Sequence, residues 1–226
     1  MLSWMPQNVA TFGGQVDGVI LLIFRIVGVW FLLAMGTLLY FAIRYRHREG
    51  RRAMYVPGRT RRSLLFVLVP AALVLCFDLA IDAASTHAWN AIKIDMPPAG
   101  QIIRVTGKQY VWTFRHPGPD GALDTADDVL LDNELHVPAG TIVEFELQAE
   151  DVIHSFFVPN LRLKQDAVPG RNIHGWFEAT RPGRYQIVCA ELCGIGHTNM
   201  RGWLEVQTPE AYQAWLREQS ASPQWD

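Results

Sequence analysis

Two apolar stretches near the N-terminus constrain this chain more than any other feature, because each is long enough to cross a bilayer. Residues 19–43 are interrupted by one charge, Arg25, and residues 64–84 carry only Asp78 and Asp82, toward their end. A hydrocarbon core of about 30 Å takes about 20 helical residues, so both runs can span it. The 44–63 segment between them holds Arg44, Arg46, Arg48, Arg51, Arg52, Arg59, Arg61 and Arg62. Basic residues beside a span stay on the cytoplasmic side. That makes 44–63 a cytoplasmic loop and places both termini outside. Residues 1–16 contain no Lys or Arg, so the basic leader of a signal peptide is missing and the first run reads as a retained membrane helix. Arg25 lies near the outer end, within snorkelling reach of the headgroups. The expected localisation is a bacterial-type inner (cell) membrane, multi-pass, with most of the chain on the periplasmic side.

The hydrophobic period changes beyond residue 101. Segments 102–105, 110–114, 141–147, 175–178, 184–188 and 202–206 read as short strands, separated by Pro138-Ala139-Gly140, Val168-Pro169-Gly170 and Arg181-Pro182-Gly183. Many short strands of this kind imply a β-sandwich or barrel. Thr208 followed by Pro209 starts a final helix. The expected organisation is an outer segment (1–18), membrane helix (19–43), basic loop (44–63), membrane helix (64–84), linker (85–100), all-β domain (101–207), and C-terminal helix and tail (208–226). The basic cluster sits between membrane helices, so nothing points to nucleic-acid binding.

One short segment carries the chemistry. Cys189, Cys193, His197 and Met200 follow the spacing Cys-x3-Cys-x3-His-x2-Met, and His154 lies upstream. Thiolates, imidazoles and a thioether are soft and borderline ligands that favour copper over magnesium or calcium. A mononuclear blue-copper site takes two histidines, one cysteine and a weak axial methionine. The extra cysteine therefore suggests two copper ions bridged by two thiolates. Two other readings stay open: a Cys189–Cys193 disulfide, which leaves His197 and Met200 unexplained, and a Cys2His2 zinc site, to which Met200 adds nothing.

The chain resembles subunit II of the haem–copper cytochrome c oxidases over nearly its whole length. The resemblance rests on Gly107-Lys108-Gln109-Tyr110-Val111-Trp112, Asp151-Val152-Ile153-His154-Ser155-Phe156, the 163–171 segment and the cysteine motif. It implies a hairpin of two transmembrane α-helices followed by a cupredoxin-like domain. It also implies a binuclear centre, CuA. Cys189 and Cys193 would bridge the coppers, His154 and His197 would bind one each, and Met200 and the Glu191 carbonyl would be weak ligands. The Glu191 side chain would reach a magnesium ion shared with subunit I. Electrons would arrive from a c-type cytochrome near Tyr110 and Trp112 and pass to haem in subunit I, where oxygen is reduced. Subunits I and III and membrane lipid are the implied partners. Glu150 and Asp151 are candidates for docking a basic cytochrome. No Cys-x-x-Cys-His motif occurs, so the donor is a separate protein.

The chain also departs from the family. Tyr110 stands where tryptophan is usual. The glutamate that many members carry before the second helix is missing from residues 59–64. Asp120, Asp124, Asp127 and Asp128 form an acidic loop, read either as a solvated or docking loop or as a calcium site. Asp78 reads as a carboxylate facing a partner or headgroups, or as a proton-handling group. Cys76 reads as a small apolar filler, and His47, His87, His116, His136 and His174 as surface or packed histidines. A quinol oxidase subunit would lack the copper ligands, and a nitrous oxide reductase would need a large catalytic domain. A non-enzymatic, membrane-anchored copper-binding electron carrier is the alternative, and a blue-copper version of it would use one cysteine.

Overall fold

Apolar length makes the helices, and alternation makes the sheets. The computed structural model describes residues 5–55 and 57–221. It divides the chain into two units, one running from residue 17 to 89 and the other joining the N-terminal 16 residues to everything after 89.

The first unit is a pair of long helices, α1 (Gly13–Arg44) and α2 (Arg61–Trp89). Both are long and apolar enough to cross a membrane, with mean hydropathies of 2.5 and 2.7 and no buried residue in either apolar window. Large apolar side chains therefore point outward along both helices, as lipid requires. Thr60 caps α2 by accepting the Ser63 N–H at 3.2 Å. Trp30 of α1 and Phe77 of α2 meet edge to face at 6.1 Å. Cys76 is exposed on α2 instead of filling an interior gap. Asp78 and Asp82 are exposed on the same helix.

The second unit is a sandwich of two five-stranded sheets. Its strands are β1 (Gln101–Lys108), β2 (Val111–His116), β3 (Val129–Asp132), β4 (Glu134–Pro138), β5 (Ile142–Ala149), β6 (His154–Val158), β7 (Leu163–Ala167), β8 (Ile173–Glu178), β9 (Gly183–Cys189) and β10 (Arg201–Gln207). One sheet has the order β3-β2-β1-β5-β8 and the other β4-β10-β9-β6-β7. Parallel pairs β1·β5 and β4·β10 stand among antiparallel neighbours. Alternate residues of β1, β2 and β5 point into the core, where Trp112, Phe114, Phe145, Phe156 and Phe177 are fully buried. This is the expected architecture of two apolar helices followed by an all-β, cupredoxin-like sandwich. The final helix, α3 (Pro209–Ala221), begins at the expected place, with Thr208 Oγ1 accepting the Ala211 N–H.

The segment before α1 is built into the sandwich. Val9, Ala10 and Phe12 are buried in its core. Val9 N–H donates to the Asn160 carbonyl, and Thr180 N–H donates back to Val9. Phe12 packs edge to face on Trp176 at 5.2 Å, and Trp176 Nε1–H donates to the Ile92 carbonyl just after α2. The chain thus leaves the sandwich to form the helical hairpin and returns to it.

Candidate metal centre

Strand pairing assembles the centre. β6 lies beside β9 with Phe156 opposite Cys189, which brings His154, at the start of β6, next to the end of β9. β9 and β10 are antiparallel, and their ladder closes with Cys189 N–H donating to the Met200 carbonyl at 3.1 Å. Residues 190–199 must therefore form a tight loop. Its turns are held by His197 N–H on the Gly194 carbonyl and Asn199 N–H on the Gly196 carbonyl. Cys193 sits inside this loop and His197 on its last turn.

The two sulfurs stand 3.8 Å apart, and both thiols are free. Each has its own pair of further donors. Cys189 Sγ lies 3.9 Å from His154 Nδ1 and 3.2 Å from the Glu191 carbonyl oxygen. Cys193 Sγ lies 3.6 Å from His197 Nδ1 and 3.8 Å from Met200 Sδ. Donor atoms of His154, Cys189 and Cys193 fall within 4.8 Å of one another. His154, Cys189, Cys193 and Met200 are buried, while His197 is half-buried. Burial pushes the Cys193 thiol up to about 11, with neighbouring Cys189 adding to the effect. A thiol in that state keeps its proton at neutral pH, and a metal binding there must displace it. All six expected donor groups converge, and the Met200 sulfur faces Cys193, which a four-ligand zinc site would not require.

Four residues that the sequence reading left out of the centre, or placed elsewhere, support it. Asp151 Oδ1 accepts from His154 Nε2 at 2.9 Å, which leaves Nδ1 toward the sulfurs. The same carboxylate accepts the Gln109 and Val152 N–H groups at 2.8 and 2.7 Å. Burial pushes the Asp151 carboxyl up, but the bonds from His154, Gln109 and Val152 outweigh it and hold it at about 2. A ligating histidine whose far nitrogen is fixed by a carboxylate is the usual outer-shell arrangement of a metal site. Gln109 also donates through Nε2 to the Cys193 carbonyl. Gly194 and Gly196 lie so close to Tyr110 that a Cβ at either would collide with that side chain. Asp three residues before a ligand histidine, and glycine on both sides of Ile195, were the available signals.

Tyr110 and Trp112 take different places. Tyr110 is 37% exposed and rests on the loop of residues 190–199. Trp112 is fully buried and meets the His154 ring edge to face at 5.9 Å. Glu150 pairs with Lys108 at 3.0 Å, and Asp151 is turned to His154, so neither docking candidate is an unpaired surface charge. The Glu191 side chain is exposed.

The acidic loop is committed to protein donors. Asp124 forms a forked pair with Arg104 at 2.6 and 3.0 Å. Asp128, with its side chain 2% exposed, pairs with Arg115 at 3.0 Å. Asp127 accepts from Thr125 and from Asp120 N–H, while Asp120 accepts from Ala122 N–H. A calcium ion needs six or more oxygens turned toward one point. These carboxylates turn toward arginine and backbone donors instead.

The chain is similar to proteins of one family. Residues 101–206 match the family described as cytochrome C oxidase subunit II, periplasmic domain. The alternative cytochrome c oxidase subunit 2 of Bradyrhizobium diazoefficiens is 32% identical, over 96% of this chain and 84% of that protein. Cytochrome c oxidase subunit 2 of Thermostichus vulcanus is 30% identical, over 96% of this chain and 79% of that one. The crystal structure of the periplasmic domain of cytochrome oxidase subunit II from Bradyrhizobium japonicum superposes with a TM-score of 0.49, at 28% identity, covering 55% of this chain and 96% of that domain. With two apolar helices, a β-sandwich and a paired-thiol site in one chain, this protein belongs to the cytochrome c oxidase subunit II family.

Proposed function

We propose that this chain is the electron-accepting subunit of a terminal oxidase, taking electrons from a c-type cytochrome and passing them to haem in subunit I. The observation that carries the reading is the pair of adjacent thiols with two imidazoles, a thioether and a carbonyl oxygen around them. Cys189 and Cys193 would hold two copper ions between them, with His154, His197, Met200 and the Glu191 carbonyl as the remaining donors. Such a pair of coppers supplies one-electron transfer. The protein's part is to hold its donors still. The β9–β10 ladder fixes Cys189 and Met200, Asp151 fixes the tilt of His154, and Gln109 anchors the loop at Cys193. Ligands that do not move between redox states keep reorganisation small, because the polar surroundings are already in place. Half-exposed Tyr110, packed on Gly194 and Gly196, is an aromatic surface group against the loop and is assigned as the place where electrons arrive. Buried Trp112 is assigned to holding His154.

Chain connectivity supports the outer placement of both termini. The segments before α1 and after α2 both belong to the sandwich, and two crossings return the chain to the side it left. The Glu191 carboxylate, exposed beside the site, is assigned to a magnesium ion shared with subunit I, and subunit III completes the complex. The alternative, a membrane-anchored copper carrier outside any oxidase, uses the same centre. Copper counting with electron paramagnetic resonance tests the centre. Two coppers sharing one unpaired electron are expected, and one copper with a four-line signal overturns the reading. Co-purification with a haem-containing subunit separates the oxidase from the lone carrier.

A further inference from the structure

We infer that α3 is held by an acid-sensitive histidine–tryptophan latch, in which Trp215 rests on His116 and His136 and their protonation releases the helix while the copper-binding end stays folded. The latch is a compact cluster. The Trp215 ring stacks on His136 at 4.2 Å with 8° between planes, and meets His116 edge to face at 5.3 Å. His116 is fully buried, with Nε2 accepting the His136 N–H at 3.1 Å and Nδ1 3.4 Å from the Val129 carbonyl. Both ring nitrogens are thus used by the neutral ring, donating from Nδ1 and accepting at Nε2. A proton added at Nε2 would face a backbone N–H. His136 Nδ1 and Gln207 Oε1 are buried and make no well-aligned hydrogen bond among the described residues, although the Gln207 side chain lies close enough to act on the His136 ring. The apolar remainder of the contact is small: Tyr212 and Leu216 against Val129, with Leu131 and Trp215 at the margin.

Charged neighbours set the direction. Burial, with His136 adding to it, lowers His116 to about 3 against the opposing backbone bonds to Val129 and His136. Burial also lowers His136, against the opposing pull of Glu134, Gln207 and Glu205. Glu134 Oε1 is 3.5 Å from His136 Nε2, and Glu205 is itself paired with Arg184 at 2.7 Å. From α3 the group facing both rings is the uncharged Trp215. Both histidines are therefore held below their ordinary value in the docked state. Their contribution to docking is complete above about pH 6.5 and is lost as pH falls below it toward the lowered values. For His116 alone, a drop from about 3 docked against 6.5 fully hydrated favours release by up to about 25-fold between pH 7 and pH 5. His136 adds in the same sense. His116 and Trp112 stand four residues apart on β2, about 13 Å, so the latch is remote from the His154 end of the strand.

Amide hydrogen exchange on the full-length protein in detergent, corrected for intrinsic exchange at each pH, tests the latch. The expected result is at least about a tenfold rise in opening of residues 209–221 at pH 5 relative to pH 7, with β6 and β9 unchanged. In the double variant His116→Gln, His136→Gln the acid response should fall below about twofold, because no group remains to take up protons on release. Equal protection of the helix at both pH values in the unaltered protein would overturn the inference, whether or not the variants fold. An undiminished acid response in the double variant, or in His136→Gln together with His116→Asn, would overturn it too.

Discussion

Replacing Asp151 by asparagine should raise the midpoint potential of the copper centre and weaken copper binding, with the fold intact. The carboxylate is 2.9 Å from His154 Nε2. An imidazole ring adds about 2 Å, so charge beyond Nδ1 feels the carboxylate from about 5 Å or more. At an effective dielectric of about 20, a unit charge at about 5 Å is worth about 3 kcal/mol. The Asp151 side chain is 30% exposed and the metal lies beyond Nδ1, which together reduce this to about 1.4 kcal/mol. That is about a tenfold preference, or about 59 mV for one electron, and it matches the lower end of the 10–100-fold cost of losing an outer-shell partner. The sign follows from charge: removing a negative group disfavours the more positive, oxidised centre, so the potential rises. Asn keeps one acceptor oxygen, which can replace Oδ1 toward His154 and the Val152 N–H, and gives up the Gln109 N–H bond on Oδ2, so a small loss of stability should accompany an otherwise intact loop. A spectroelectrochemical titration of the copper absorption, with a competition assay for copper, reads both effects. A midpoint within about 15 mV of the unaltered protein, together with unchanged copper affinity, would refute the assignment of Asp151 to His154.

Four other outcomes follow from the same geometry. Tyr110→Ala should slow oxidation of the reduced donor by about tenfold, the usual cost of removing an aromatic contact, and leave the copper spectrum unchanged; an unchanged rate removes Tyr110 from the electron route. Gly196→Ala, whose Cβ meets the Tyr110 ring, should cost about 1–3 kcal/mol in thermal unfolding and should be rescued in part by Tyr110→Ala, because the clash is with that ring. Arg115→Met leaves the buried Asp128 carboxylate with only the Asp124 N–H and the Thr125 hydroxyl as donors and should lower stability by about 2–3 kcal/mol, a fall of about 5–10 °C in Tm, while adding Asp128→Asn, which removes the unpaired charge, should recover part of it. Millimolar calcium, or its removal by a calcium-selective chelator that leaves copper in place, should leave Tm unmoved, since the acidic loop spends its carboxylates on Arg104, Arg115 and backbone donors; a calcium-dependent rise in Tm would contradict that reading.

What the sequence made legible follows the physics of each signal. Apolar length over two runs and the arginines between them are one-dimensional features, and both helices were found from them. Six strands show a readable alternation because one face of each meets water. β3, β4, β6 and β7 do not. β4 and β6 are buried along nearly their whole length, which removes the period of two, and Leu163-Lys164-Gln165-Asp166-Ala167 is too polar to read as a strand until β6 pairs with it. The candidate metal donors could be named from sequence because five of the six lie between residues 189 and 200, where spacing in the chain is close to spacing in space. Asp151 shows the opposite case. As a charge near the site it reads equally well as a docking group or as a histidine's partner, and only the turn into β6 decides between them. The acidic loop is a similar case, since its partners Arg104 and Arg115 come from β1 and β2 and no local pattern announces them. A carboxylate's role is set by the donor it meets. Where that donor comes from a distant strand, sequence can name the charge but not its use.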